Sequence, residues 1–192
     1  MKKSLFFIVL TLMSHSLVLA YECTSPIPKE KLSLLVKEAQ ETYFPELNSA
    51  PLKIKFFKSS AYYLQSQPIL KTLTKNRTKR EYSVQINTKL LACPPSEEAL
   101  KAILVHELEH IKDYTKMSSA QIAGLGIKMT ISRKFRTKYE RATDEKALYK
   151  GLGQGLIEYR KWIYKKLTPK QLLKKKRFYY TPEEIAEWSS HH

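Results

Sequence analysis

Leu104-Val-His-Glu-Leu-Glu-His110 reads LVHELEH, two histidines four apart with a glutamate directly after the first. On a helix, residues four apart lie on one face, so His106 and His110 can aim ring nitrogens at one point. Glu107 sits about 100° further round, close enough to reach a water at that point. Pro94-Pro95 breaks the chain upstream, Ser96 is a helix cap, and Glu97 and Glu98 fall in the first turn where the helix dipole favours them. A helix is therefore expected from Ser96 to about Lys116. Leu100, Leu104, Leu108 and Ile111 form an apolar stripe for the core, while Lys101, Glu109 and Lys112 are expected to face solvent.

This histidine pair suits a zinc ion (Zn2+). A catalytic zinc takes three protein ligands and leaves a place for water. A long metzincin pattern is absent, because position 113 is Asp and position 116 is Lys. The histidines after the leader, other than this pair, are His191 and His192 at the extreme end, so the third ligand is expected to be a carboxylate. Residues 139–147 read YERATDEKA, with Glu140 and Asp144 four apart on a second expected helix. Glu140 can complete a His-His-Glu site, and Asp144 can accept a hydrogen bond from the far nitrogen of a ligand histidine. Asp113 and Glu145 are the fallback ligands.

HELEH followed by ERATD resembles the gluzincin metallopeptidases, and within them the compact soluble relatives of the prenyl-protease and heat-shock peptidase type. The resemblance spans roughly residues 81–148. Glu109 stands where a Gly often precedes the second histidine, and Thr143 where an Ala often precedes the aspartate. The resemblance implies metal ligation by His106, His110 and Glu140, with Glu107 as general base and Asp144 behind a histidine. It also implies that substrate backbone pairs with an edge strand before the active-site helix, here EYSVQINTKL (81–90). A donor to the oxyanion is left open among Tyr139, Tyr149, Tyr159 and Arg141.

Residues 27–44 carry Leu32, Leu35, Val36, Ala39 and Tyr43 at helical spacing, and Pro45 ends the run. Residues 52–57 (LKIKFF) suit a strand, 59–74 show no clear pattern, and 81–90 alternate as a half-buried strand. Helices are expected over 137–150 and 154–167, with a weaker one within 118–133. Thr168-Pro-Lys-Gln and Thr181-Pro-Glu-Glu are helix starts, each with a Thr cap and Pro at the first position. GLGQG (151–155) follows a helix, so it reads as a helix stop and a tight helix–helix contact rather than a phosphate loop.

The leader MKKSLFFIVLTLMSHSLVLA has a basic tip, an apolar run and a Val18-Leu-Ala20 end, the pattern of a signal peptide cut after Ala20. An uncleaved anchor is the alternative, but Ser14, His15 and Ser16 interrupt a segment already short for a bilayer. Export to a periplasm or medium is expected. Cys23 and Cys93 then invite a disulfide in that compartment, against two free thiols. Its loop closure is worth about 4 kcal/mol in the chain-entropy view.

The formal charge is +16, and Lys2 and Lys3 leave with the leader. Arg160, Lys161, Lys165, Lys166, Lys170, Lys174, Lys175, Lys176 and Arg177 form a basic stripe without an acidic residue. Such a stripe attracts anionic lipid or envelope polymer, or simply keeps an exported protein soluble. Its aromatic neighbours, Tyr159 and Trp162 among them, read as core anchors, and nucleic acid is not the expected partner.

The expectation is an α+β chain. A leader (1–20) precedes one mostly helical zincin-like domain (21–192) with a small antiparallel sheet and a basic helical C-terminal part from about 160. Its expected function is zinc-dependent hydrolysis of a peptide or protein substrate. The alternative is a cationic envelope-binding protein whose metal is structural or absent.

Overall fold

The computed structural model describes residues 25–60 and 62–192. The leader and Cys23, and with it the Cys23–Cys93 pairing, lie outside the described residues. The element order is α1 (Lys29–Tyr43), β1 (Leu52–Phe57), β2 (Leu64–Pro68), β3 (Tyr82–Asn87), α2 (Thr88–Ala92), α3 (Glu97–Lys116), α4 (Ser119–Ile131), α5 (Arg133–Leu148), α6 (Gly153–Tyr164), α7 (Pro169–Phe178) and α8 (Pro182–His191). Helix predominates and the sheet is small, as the α+β expectation required. No helix of the described residues is long and apolar enough to cross a membrane.

The sheet corrects two expectations. Its order is β1-β3-β2, with β1 parallel to β3 and β2 antiparallel to it, so it is mixed rather than antiparallel. The pattern in 81–90 is that of the central strand, not an edge. Ser83 and Asn87, on its polar register, are fully buried. The polarity of that register reflects local bonding instead of solvent. Asn87 Nδ2 donates to the carbonyls of Ser59 and Tyr62, and its Oδ1 accepts from Lys89 N, which starts α2. Residues 88–90, expected as strand, are thereby helical. The edge strand beside α3 is β2, from the segment that showed no clear pattern. Leu64 pairs with Ile86 and Pro68 with Tyr82.

α3 is the hub. Ser96 Oγ accepts from Ala99 N at 3.1 Å and donates to Glu158 of α6, joining the start of one helix to the flank of another. α1, β2, α5 and α6 all pack on α3. It therefore buries every side, not one stripe: from Ala99 to Ile111 the half-exposed residue is Lys101. The expected solvent face is replaced by ion pairs. Lys101 faces Glu38, Lys112 faces Glu46 at 2.7 Å, and Glu109, 2% exposed, faces Lys150 at 3.0 Å. Burying a carboxylate in this way requires a cation close by.

α3 and α6 approach closely because of Gly155. A Cβ there would lie 2.5 Å from the Glu98 carbonyl oxygen and 2.8 Å from Ala102 Cβ. Gly151, with φ +78°, ends α5 in the left-handed region. Both readings of GLGQG are thus met by single glycines. Leu156, Tyr159, Trp162 and Ile163 of α6 join Leu32 and Val36 of α1, Val84 and Ile86 of β3, and Ile185 of α8 in one core. Tyr63 meets Trp162 edge-on at 5.1 Å. Thr168 and Thr181 each form a reciprocal capping box.

Gly155→Ala is expected to destabilise the fold by about 1–3 kcal/mol through overpacking. Gly124→Ala, in open space within α4, should stabilise by about 0.5–1 kcal/mol through helix propensity. Denaturant titration of the two variants separates close packing from backbone freedom.

Candidate metal centre

His106, Glu107 and His110 come from the middle of α3, and Glu140 and Asp144 from α5, which crosses it. All five are buried. Glu140 Oε2 lies 3.5 Å from His106 Nε2 and 3.4 Å from His110 Nε2. The three residues offer donor atoms within 4.8 Å of one another and form a candidate cluster for a metal ion. Two ligands about 2.0–2.1 Å from a tetrahedral zinc stand about 3.3–3.4 Å apart, so both edges to Glu140 fit. Glu140 Oε2 is also a buried acceptor with no hydrogen-bond partner among the described residues. A buried carboxylate oxygen in that position is costly unless a positive charge faces it.

Asp144 is wholly buried, with Oδ1 2.9 Å from His106 Nδ1. This is the placement expected for the carboxylate behind a ligand histidine. It also meets Arg160, whose Nη2 donates to both Asp144 oxygens at 2.8 and 3.0 Å. Tyr180 N donates to Oδ2 at 3.0 Å. Burial alone would raise the Asp144 pKa, but Arg160 and His106 hold it below the usual aspartate range. Arg160 is thereby removed from the basic stripe: it is fully buried, and Lys161, Lys170, Lys174, Lys176 and Arg177 remain exposed. The periodicity of lysines and arginines carried no sign of this, because a buried pair depends on which helix lies opposite.

The fallback ligands face elsewhere. Asp113 accepts from Lys146 at 2.9 Å, and Glu145 accepts from the Tyr180 hydroxyl at 2.6 Å. Of the candidate oxyanion donors, Tyr149 is 70% exposed and packs on Trp188, while Arg141 forks onto Glu184. The Tyr139 ring stacks on His110 at 5.2 Å, and its hydroxyl donates to Asp113. Tyr159 is the candidate that lines the cleft over the cluster, a space of about 210 Å³. Burial raises its pKa, which keeps the phenol protonated.

The cleft walls include residues the sequence did not single out. β2 contributes Leu64, Gln65 and Ser66, and α4 contributes Met129. Tyr179 lies 5.8 Å from the His106 ring, and Arg136 Nε stands 3.8 Å from Glu140 Oε1. Lys175, expected as part of a solvated stripe, lines this cleft instead. Burial and the charge of Arg160 lower its pKa to about 8.

Comparison of the chain with protein-family models, with curated proteins and with solved structures found no match.

Burial disfavours a charged His106, but Asp144 and Glu140 outweigh it and hold its pKa up to about 9. Below that pH a metal must displace a proton. Apparent zinc affinity is therefore expected to rise by up to about tenfold per pH unit between about pH 6 and 8, with proton release on binding. Calorimetry in buffers of different ionisation enthalpy measures that release. Asp144→Asn should weaken zinc binding about 10–100-fold. Arg160→Leu, which strands a buried carboxylate, should destabilise the fold by about 3–5 kcal/mol, read from chemical denaturation.

Proposed function

We propose that the chain is an exported zinc-dependent metallopeptidase. The observation that carries this reading is the convergence of His106, His110 and Glu140 in one buried cluster, with Glu107 beside it on the wall of an open cleft. His106, His110 and Glu140 would hold the zinc ion, and Asp144 would set the ring of His106. Bound there, zinc supplies Lewis-acid polarisation of a carbonyl and lowers the pKa of water.

The chain's own residues supply the rest. Glu107 lies one residue from a ligand and lines the cleft, so it takes the proton of an attacking water and returns it to the departing amine. Tyr159 lines the same space with its phenol protonated, and offers an O–H to the oxygen on which charge develops. β2 is an edge strand whose residues 64–66 form a cleft wall. An extended peptide added to that edge presents its backbone to Glu107, with alternate side chains turned into the cleft. The gluzincin resemblance of HELEH and ERATD supports the same assignment. The leader supports export.

The test is Glu107→Gln in the mature chain lacking His191 and His192, which removes adventitious zinc binding. About one zinc per chain is expected by elemental mass spectrometry in this variant and in wild type, and none in His106→Ala. Cleavage of a complex peptide mixture should fall by at least about 10²–10⁴-fold in Glu107→Gln. Undiminished cleavage by that variant overturns the mechanism. A folded chain that takes up no zinc overturns the reading and returns attention to the cationic surface.

A further inference from the structure

Beside the metal cluster lies a second cavity of about 140 Å³. It adjoins the cleft, because Tyr62, Arg136, Lys175 and Tyr179 line both. Lys174 adds a third cation, and among the described residues no acidic one lines the cavity. Phe178 gives it an apolar wall, with the Arg136 guanidinium carbon 4.5 Å from the ring centroid.

Among the described residues these cations make no hydrogen bond to a carboxylate, and the one ion pair is the long contact of Arg136 with Glu140. Arg136 Nε is buried with no hydrogen-bond partner among the described residues, and Glu140 Oε1, at 3.8 Å, is too distant for one. The other oxygen of Glu140, Oε2, faces the two histidines. The Lys175 ammonium lies over the Tyr179 ring at 4.2 Å, and among the described residues no carboxylate pairs with it or with Lys174. Three cations gathered from α5 and α7 around a partly enclosed space repel one another, and an anion placed between them relieves that repulsion. A carboxylate also matches the guanidinium fork of Arg136.

We propose that this cavity is a specificity subsite, seating a carboxylate of a bound peptide between Arg136, Lys174 and Lys175 beside the His106–His110–Glu140 cluster. The proposal rests on the peptidase reading for its substrate class: an acidic peptide. The carboxylate belongs to an Asp or Glu side chain or to the peptide's own C-terminus. The first makes the subsite a selector within a chain, the second a selector for chain ends.

Fluorescence anisotropy with the zinc-treated Glu107→Gln chain tests it, since binding is then read without turnover. The probes are short labelled peptides, identical except for Glu, Gln or Lys at one scanned position, each made as C-terminal acid and amide. At one position Glu should bind roughly tenfold or more tighter than Gln, with a gap that narrows as salt rises. The gap should close in Lys174→Ala/Lys175→Ala at unchanged zinc content and melting temperature. Lys174→Glu alone, at an exposed position, should turn the preference toward Lys. A gap that follows acid against amide instead of the side chain assigns the site to the C-terminal carboxylate. Equal binding of all peptides, absence of binding, or a gap that persists in the double variant overturns the subsite. Cleavage of the same peptides by the wild-type chain is scored separately. Acid selectivity without cleavage keeps the subsite and sinks the peptidase reading, whereas cleavage without selectivity does the reverse.

Discussion

Asp144 holds the centre together. Its two oxygens meet His106 from α3, Arg160 from α6 and the backbone N–H of Tyr180 ahead of α8, and it stands itself on α5. A fully buried carboxylate is tolerated only with its charge offset and its lone pairs filled. Satisfying Asp144 therefore sets the positions of four chain segments at once. The orientation of the His106 ring follows from the same requirement, since Nδ1 faces Asp144 and Nε2 is turned toward Glu140. The arrangement leaves Arg160 Nη1 without a hydrogen-bond partner among the described residues, so the ion pair is held for placement at some expense in stability.

The cluster sits on a helix buried on all sides. That is an unusual setting for two histidines and two glutamates, and it explains the charges around α3. Glu109 is met by Lys150 and Glu140 by the histidines, while Glu107 keeps its small remaining exposure toward the cleft. The close approach of α6 at Gly155 brings Tyr159 and Arg160 to the centre. α7, starting from the Thr168 capping box, carries Lys174 and Lys175 to its flank. Part of what looked like a uniform basic stripe is thus divided three ways: Arg160 into the core, Lys175 into the cleft, and the exposed lysines into solvent.

The helix that carries the histidine pair, its Ser96 cap and the helix starts at Thr168 and Thr181 were legible in the sequence because they depend on residues within one turn. The union of His106 and His110 was legible for the same reason. Glu140 and Asp144 were found through a second four-residue spacing, on a helix whose side-chain chemistry matched. The sheet was read less well. Alternation in 82–87 marks a strand, but the buried Ser83 and Asn87 are polar for reasons of local hydrogen bonding, so the pattern does not tell a central strand from an edge. The true edge, β2, has only five residues, and LQSQP carries little apolar pattern.

By itself the sequence determined the longer helices, the pair of motifs and the chemistry they favour, since each is a matter of residue type at fixed helical spacing. Only the tertiary structure decided that Arg160 is the partner of Asp144, that β2 walls the cleft, and that Tyr159 rather than Tyr139, Tyr149 or Arg141 overlooks the cluster. Those assignments depend on which segments lie opposite one another after packing. Burial then sorts residues of one chemical type, such as the lysines and arginines of 160–177, into pairs, cleft walls and solvent, and no local spacing encodes that sorting.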